Sequence, residues 1–357
     1  MNVIPRRGYI ADRDFIRTKE GFFWVVVGYI HPQDRIIAYL KYIPSNNSGK
    51  WKNGMISLKR VLPYYSATTV GNTFEFLRLH YPEYLFFCPV NQIEMSTVPL
   101  DKIEKYYIPE EKFQNLLKED SKDSLQKKAV DLITQLSKRS GVPLTSFGII
   151  GSILLDIHNP AFSDIDVTVY GSKKAHMVKN KLLELTKEDD PFSKMSNEFL
   201  KNWCESRAQV LPLDANELEK IFFRRWNIGT FKKTRYSIHP VRTKEELREQ
   251  YGDVKYEPYG FVKIKARITD NSEAIYLPCK YRLSNVEILE GSKNLEGDIT
   301  IEELVSYEGL YCDLAEKNEN VLAFGKLEKV IYRNRETFRV LIGSIDAHSK
   351  DYIIPLI

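Results

Sequence analysis

The chain has 357 residues, of which 43% are hydrophobic and 28% are charged, so it is long enough to bury more than one core. Its 52 basic and 48 acidic side chains leave a formal charge of only +4, which excludes a polycation; any nucleic-acid partner must meet a local basic patch. The sequence has neither a signal-peptide core nor an apolar run of about 18 residues, so no membrane partner is expected. The cysteines are scattered without a paired spacing, which predicts reduced thiols in a cytoplasmic protein.

Residues 1–108 are predicted to form a β-rich N-terminal domain. The runs 21–30 and 35–43 are rich in β-branched and aromatic residues and flank the short proline-containing segment 31–34. Two strand-like runs around such a segment are typical of a β-hairpin. His31, within the turn, is predicted to serve the turn rather than to bind a metal.

Residues 109–245 are predicted to form a separate core in which helices and strands alternate. Apolar residues recur at spacings of three and four between 120 and 138, which predicts an amphipathic helix that ends at Gly141-Val142-Pro143. The other predicted elements are strands at 147–150, 164–170 and 235–239 and helices at 173–185 and 198–226, the last one interrupted at Pro212.

Residues 255–357 return to strand-like sequence and are predicted to form a small C-terminal β-barrel. The clearest signal is a hairpin made from the runs 261–268 and 274–283, which flank a short polar segment. RNA or DNA is one candidate partner of this barrel.

Two aspartates mark the predicted strand 164–170. Because side chains alternate along a strand, Asp164 and Asp166 share one face about 7 Å apart, while Ile165 and Val167 face the core. Two carboxylates held so close repel each other unless a cation compensates them. Mg²⁺ suits this position because it binds one or two carboxylates together with substrate phosphates. The plainer alternative is a solvated edge strand with outward-facing acids.

A glycine and a serine follow the preceding predicted strand. Gly151 and Ser152 lie between that strand and a predicted short helix. Glycine lets a phosphate approach the backbone closely, N–H groups at a helix start bind anions, and the serine hydroxyl adds a donor. On its own the pair is also consistent with a turn and a helix cap. Joined to the two aspartates, it predicts a binding site for a nucleoside triphosphate (NTP).

The pattern of Gly151-Ser152 followed after eleven residues by Asp164-Ile165-Asp166 resembles the DNA polymerase beta nucleotidyltransferase superfamily. The resemblance covers roughly residues 122–240, and the flanking regions resemble an archaeal group of predicted nucleotidyltransferases. It implies an α+β protein with a central mixed sheet and helices, flanked by the two β-rich domains. It also implies that Asp164 and Asp166 hold two Mg²⁺ or Mn²⁺ ions. Gly151 and Ser152 would then hold the β- and γ-phosphates, and an acceptor hydroxyl would attack the α-phosphate.

One position departs from the superfamily pattern. The superfamily usually carries a third carboxylate on a later strand of the same sheet, where this sequence has His239 in the run 235–240. Histidine binds Mn²⁺ or Zn²⁺ but suits Mg²⁺ poorly. His239 is therefore one candidate metal ligand, and the other candidates are Asp214, Asp253 and Glu257. If none of them completes the site, turnover is affected more than nucleotide binding.

A basic segment at 224–235 interleaves five cations with two aromatic residues, Trp226 and Phe231. Arg225, Lys232 and Lys233 are predicted to contact phosphates, while the aromatic rings could stack on a base. The alternative is a solvated helix end, where basic residues complement the helix dipole.

Two functions are consistent with these patterns. The first is an enzyme that moves an NMP from an NTP to a hydroxyl acceptor, with an RNA or DNA end as one such acceptor. The second is a protein that has lost turnover but keeps the fold and binds RNA or DNA. An acid close to both aspartates favours the enzyme, whereas His239 alone at that place favours the binding protein.

Overall fold

A computed structural model of the chain describes residues 5, 7–45, 49–53, 56–62, 66–188, 191–291 and 299–356. Within these residues helices and strands mix around three sheets, which confirms the α+β fold class. The sheets come from successive stretches of the chain. No helix in the described ranges is both long and apolar enough to cross a membrane.

The N-terminal sheet is built from β1 (Phe15–Thr18), β2 (Phe23–Val26), β3 (Arg35–Pro44), β4 (Trp51–Asn53), β5 (Ile56–Arg60), β6 (Leu85–Cys88), β7 (Ile93–Pro99) and β8 (Ile103–Tyr107). The short helices α1 (Ala67–Val70) and α2 (Phe74–His80) lie between β5 and β6. β2 and β3 pair antiparallel, so the predicted hairpin is confirmed.

Strand β3 has two distinct faces because its side chains alternate. Ile36, Ala38 and Leu40 are buried in the core of the N-terminal sheet itself. Tyr39 and Lys41 lie on the opposite face and are only partly buried. This second face is directed toward the rest of the molecule, on the side where the candidate site lies.

The core sheet has the strand order β11-β12-β13-β10-β9, with β9 (Phe147–Ile149), β10 (Ile165–Tyr170), β11 (Phe192–Ser193), β12 (Ile228–Phe231) and β13 (Thr234–Val241). Its helices are α3 (Pro109–Lys118), α4 (Ser124–Ser140), α5 (Gly151–Leu154), α6 (Ser172–Glu188), α7 (Asn197–Ala208) and α8 (Ala215–Arg224). β10 runs parallel to β13 and antiparallel to β9. The predicted strands and helices of this region are confirmed, including the break at Pro212, which falls between α7 and α8.

Helix α4 shows how the sequence defines the element boundaries here. The Asp123 carboxylate accepts hydrogen bonds from the Leu125 and Gln126 N–H groups at 2.8 and 2.9 Å, and Gln126 bonds back in a capping box. Gly141 ends the helix in the left-handed region at φ 73°, which glycine adopts without strain. The His158 ring contacts the same aspartate at 2.6 Å, so this histidine secures the start of α4.

The C-terminal sheet contains β14 (Val254–Asp270), β15 (Cys279–Gly291), β16 (Ile301–Ser306), β17 (Asn320–Tyr332), β18 (Arg335–Ile342) and β19 (Tyr352–Leu356). β14 pairs with β15, β15 with β16, β16 with β18, β18 with β17, and β17 again with β14. These pairings form a closed ring, which agrees with the predicted small barrel.

A hydrophobic cluster joins the N-terminal sheet to the turn that follows β9. Phe23 and Tyr42 of the sheet pack with Ile150 and Leu154 of the turn and helix α5, and all four are buried. Burial of side chains of this size stabilises such a contact by about 1.5–3 kcal/mol each. The N-terminal sheet is thereby held beside Gly151.

Candidate functional site

The two aspartates of the motif lie beside strand β13. Asp166 is in register with Ser237, whose hydroxyl donates a hydrogen bond to Oδ1 of Asp166. Arg235, two residues earlier on β13, donates to Oδ1 of Asp164 at 2.6 Å. Both carboxylates therefore face polar side chains of the same neighbouring strand.

Gly151 brings the backbone of the turn against Asp166. Its φ of 68° lies in the left-handed region, and a Cβ at this position would stand 2.5 Å from Oδ2 of Asp166. Ile150 also donates its N–H to the Asp166 carbonyl at 2.9 Å. Only glycine allows this close approach, so the Gly-Ser and Asp-x-Asp parts of the motif form one contiguous site.

The carboxylate pair is not fully compensated. Burial and the neighbouring Asp166 raise the pKa of Asp164 above its ordinary value, although Arg235 and Arg60 oppose the shift. A raised pKa means that a second negative charge is costly here. A divalent cation fits this donor set, because Mg²⁺ binds through one or two carboxylates and takes its other ligands from phosphates and water.

The place predicted for a third acidic ligand is taken by neutral side chains. Ser237 is opposite Asp166, and His239, in register with Thr168, lies 2.8 Å from the Ser237 hydroxyl through its Nε2. Burial, together with the charge of Arg13, lowers the pKa of His239 to about 3, so its ring is neutral at pH 7. His239 thus reaches Asp166 through Ser237 rather than by a direct hydrogen bond.

Two of the other candidate ligands have structural partners elsewhere, and the third lies on a strand of the C-terminal sheet. Asp214 caps α8 by accepting the Glu217 N–H at 2.8 Å, and Asp253 accepts the Gln250 N–H at 2.7 Å. Glu257 lies on β14 within the barrel-like sheet. Across the described part of the chain, no group of three or more histidine, cysteine, aspartate or glutamate side chains could hold a metal ion.

The basic segment does not form one continuous surface. Lys232 and Lys233 are exposed in the tight turn between β12 and β13, and Lys232 pairs with Asp131 of α4 at 2.6 Å. Trp226 and Phe231 are buried in the core. The prediction that these rings could stack on a base is therefore wrong, because their faces are covered by packing.

Arg225 differs from the other cations of this segment. No carboxylate among the described residues forms an ion pair with its side chain, and its enclosed Nε has no hydrogen-bond partner. Burial lowers the pKa of Arg225 to about 10. The charges of Arg225 and Arg13 both contribute to the lowered pKa of His239, so Arg225 belongs to the electrostatic surroundings of that ring.

The N-terminal sheet contributes two further cations that the sequence did not predict. Arg13, at φ 70°, pairs with Asp12 at 3.1 Å, and the charges of Arg13 and Asp166 influence each other. Burial lowers the pKa of Lys41 to about 8, against the attraction of Asp166. The alternation of β3 indicated which residues share a face with Lys41, but nothing local in the sequence shows that this face meets the core sheet.

A cavity of about 750 Å³ adjoins these residues. Its walls come from the N-terminal sheet, from the C-terminal sheet and from His239 of β13. Arg13 and Tyr39 line it as well, and the negative charge of Asp166 raises the pKa of both side chains. His239, which lines the cavity, bonds to Ser237, and Ser237 bonds to Asp166, so the cavity wall lies near the aspartates.

Comparison with known proteins finds similarity over almost the whole chain to one relative. Over 350 residues the chain is 28% identical to an uncharacterized protein of Methanocaldococcus jannaschii, and the match covers 96% of this chain and 97% of that protein. No family model matches the chain, and no solved structure matches it significantly. The similarity to that protein spans all three sheets and carries no activity with it.

Proposed function

We propose that the chain binds an NTP with Mg²⁺ or Mn²⁺ at Asp164 and Asp166 and transfers its NMP to an acceptor hydroxyl. The observation that carries this proposal is the contact between Gly151 and the Asp166 carboxylate. At this contact the backbone of a glycine lies against one of two neighbouring carboxylates, and the negative charge of that pair is only partly neutralised by nearby cations. The free cysteines suit a cytoplasmic setting for this reaction.

Each side chain has a definite part in this proposal. Asp164 and Asp166 would hold the cation, which when bound neutralises phosphate charge and favours attack at the α-phosphorus. Arg225, with no acidic partner among the described residues, would bind a phosphate group. Lys232 and Lys233 would add weaker, solvent-screened attraction from the exposed turn.

Backbone and hydroxyl groups complete the proposed phosphate contacts. Gly151 leaves space beside the turn, and Ser152, buried next to it, would help to hold the β- and γ-phosphates. His239, neutral and bonded to Ser237, would orient that serine toward Asp166.

A second candidate function is favoured by one observation. Ser237, rather than an acid, stands opposite Asp166, and superfamily enzymes usually have a third carboxylate on this strand. A protein with this substitution could bind an NTP, RNA or DNA without transferring a nucleotide.

The test is incubation with each α-phosphate-labelled NTP, with Mg²⁺ or Mn²⁺, and with a mixture of RNA and low-molecular-weight cell compounds as acceptors. The wild type should transfer label, and Asp164→Ala combined with Asp166→Ala should reduce transfer by at least about 100-fold. Asp120→Ala, an exposed acid between α3 and α4, is the matched control and should keep full transfer.

Equilibrium dialysis of the same labelled NTP separates the two candidate functions. Metal-dependent NTP binding without transfer to any acceptor would favour the binding protein. Absence of both binding and transfer would overturn the proposed site.

A further inference from the structure

Strands β3 and β13 both contribute residues to the lining of the cavity. On β3, Ile37 and Tyr39 line the cavity and Lys41 continues the same face toward Asp166. On β13, His239 lines the cavity, and Ser237, two residues earlier, bonds to Asp166. Alternate residues on a strand are about 7 Å apart, so the lining residue His239 is one such step from Ser237, the partner of Asp166.

The lining of the cavity is aromatic and electrically balanced. Five tyrosines line it, namely Tyr29, Tyr39, Tyr251, Tyr256 and Tyr307. Its charged lining residues comprise four basic and four acidic side chains, all from the described part of the chain. Two of the basic ones pair with acids of the same lining, since Arg339 bonds to Glu328 at 2.8 Å and Lys326 to Asp346 at 2.7 Å, and Arg13 pairs with Asp12.

This chemistry does not suit a nucleic-acid strand. A strand needs a groove of uncompensated cations that follows its phosphates, whereas the charges of this lining cancel. A volume of about 750 Å³ lies within the range of about 300–1,000 Å³ typical of sites for small organic ligands. Tyrosine rings provide flat contact surfaces and hydroxyl groups for a polar, uncharged molecule.

We propose that the cavity binds the acceptor of the transfer reaction, and that this acceptor is a small, net-neutral, hydroxyl-bearing molecule with a flat or apolar ring. This inference rests on the proposed function. The ring would lie among the tyrosines, and the reacting hydroxyl would point past His239 toward Asp166.

The reaction is balanced with groups that the proposal already names. The acceptor oxygen forms a bond to the α-phosphorus of the NTP, and the bond between the α-phosphorus and the oxygen that bridges to the β-phosphate breaks. Pyrophosphate leaves with the electron pair of that bond, and the hydroxyl proton is released to solvent. The products are a nucleotidylated small molecule, pyrophosphate and a proton.

The test divides an extract of the source cells by ultrafiltration into a low-molecular-weight fraction and an RNA fraction. Each fraction is incubated with the full-length protein, α-phosphate-labelled NTP and Mg²⁺ or Mn²⁺. We expect label on a product of the low-molecular-weight fraction alone, identified by chromatography and mass spectrometry.

Variants with a filled cavity test the location of the acceptor. Ile37→Trp and, separately, Met95→Trp place extra volume in the lining and should lower transfer by at least about tenfold, since misplaced reactants lose rate steeply. Their NTP binding, measured by equilibrium dialysis, should stay within about twofold of the wild type because neither residue lies among the proposed phosphate contacts. Leu79→Trp, at a side chain that is 75% exposed on α2, is the control with the same added bulk outside the cavity.

The outcomes separate this inference from the function on which it rests. Label on RNA, label in neither fraction despite NTP binding, or undiminished transfer by both filled variants would overturn the small-molecule acceptor. Failure of the wild type to bind any NTP with metal would instead overturn the proposed function, and this inference with it.

Discussion

Two arginines in different parts of the molecule illustrate different uses of a buried charge. Arg339, in the barrel-like sheet, is 3% exposed, bonds to Glu328 at 2.8 Å and lies 3.4 Å from the centroid of the Tyr256 ring. Arg225, beside β13, has no acidic partner among the described residues. A partly buried cation whose Nε has no hydrogen-bond partner is free to bind a negatively charged ligand such as the proposed phosphate. The paired arginine stabilises the fold, and the unpaired one is the cation that we propose binds a phosphate group.

The largest effects are expected when each arginine is replaced by methionine. Arg339→Met leaves Glu328 buried without its partner and should lower the free energy of unfolding by about 3–5 kcal/mol. Arg225→Met removes an uncompensated charge and should leave that free energy unchanged or raise it, while NTP affinity falls by about tenfold or more. Urea denaturation and equilibrium dialysis measure the two quantities. Equal destabilisation by both variants would contradict the distinction between the two arginines.

His31 extends the comparison to a buried neutral group of the N-terminal sheet. Its Nδ1 accepts the Ile37 N–H at 3.2 Å, and burial lowers its pKa to about 3. In the unfolded chain the His31 ring binds a proton near pH 6.5, whereas in the folded chain it stays neutral until the pH falls to about 3. The contribution of His31 to stability is therefore fully present above pH 6.5 and is lost as the pH falls toward 3. Between pH 6.5 and 4.5 this histidine alone should lower the free energy of unfolding by about 2–3 kcal/mol.

The measurement for His31 is urea denaturation at a series of pH values, with His31→Gln as the reference. The variant lacks the titrating ring, so its stability should fall less between pH 6.5 and 4.5 than that of the wild type. Parallel stability profiles for the two proteins would show that the ring is not buried in its neutral form.

Two glycines with similar φ angles allow the effect of a steric contact with Asp166 to be distinguished from the effect of backbone strain. Gly141→Ala places a side chain at φ 73° with its nearest neighbour at an ordinary 3.8 Å, and should cost about 1 kcal/mol of stability. Gly151→Ala adds the contact of 2.5 Å with Asp166, so it should cost about 1–3 kcal/mol and also displace the carboxylate. NTP affinity should fall for Gly151→Ala and stay constant for Gly141→Ala. An unchanged affinity for both would place the nucleotide away from this turn.

The smallest expected effect belongs to the exposed turn. Lys233→Ala should lower NTP affinity by less than about twofold at physiological salt, because an exposed charge is strongly screened. A titration at low and high salt checks this, since the small effect should vanish at high salt. A loss as large as that of Arg225→Met would show that the turn folds onto the nucleotide.

The sequence predicted the elements of the core well because their signals are local. The spacing of apolar residues in α4, the break at Pro212 and the alternation of β10 each depend on neighbours along the chain. The contiguity of Gly151 with Asp166 was also within reach, since eleven residues separate the two halves of the motif.

The rest of the site depends on contacts between distant parts of the chain. The charge of Asp166 influences Arg13 and Lys41 where Phe23 and Tyr42 pack on the turn after β9, and no periodicity in the sequence encodes that packing. Trp226 was predicted to stack on a base because its segment is basic. In the structure it is buried and donates its indole N–H to Asp313 at 2.7 Å. Burial, rather than composition, decided its role.

The central claim is that Asp164 and Asp166 form a cation site that is completed by the phosphates of a nucleotide. The most direct measurement is a Mn²⁺ titration followed by electron paramagnetic resonance, with and without a non-hydrolysable NTP, for the wild type and for Asp166→Asn. We predict Mn²⁺ binding by the wild type that is at least about tenfold tighter with the nucleotide present, and loss of that gain in Asp166→Asn. Mn²⁺ binding that ignores the nucleotide, or a gain that survives in Asp166→Asn, would contradict the account.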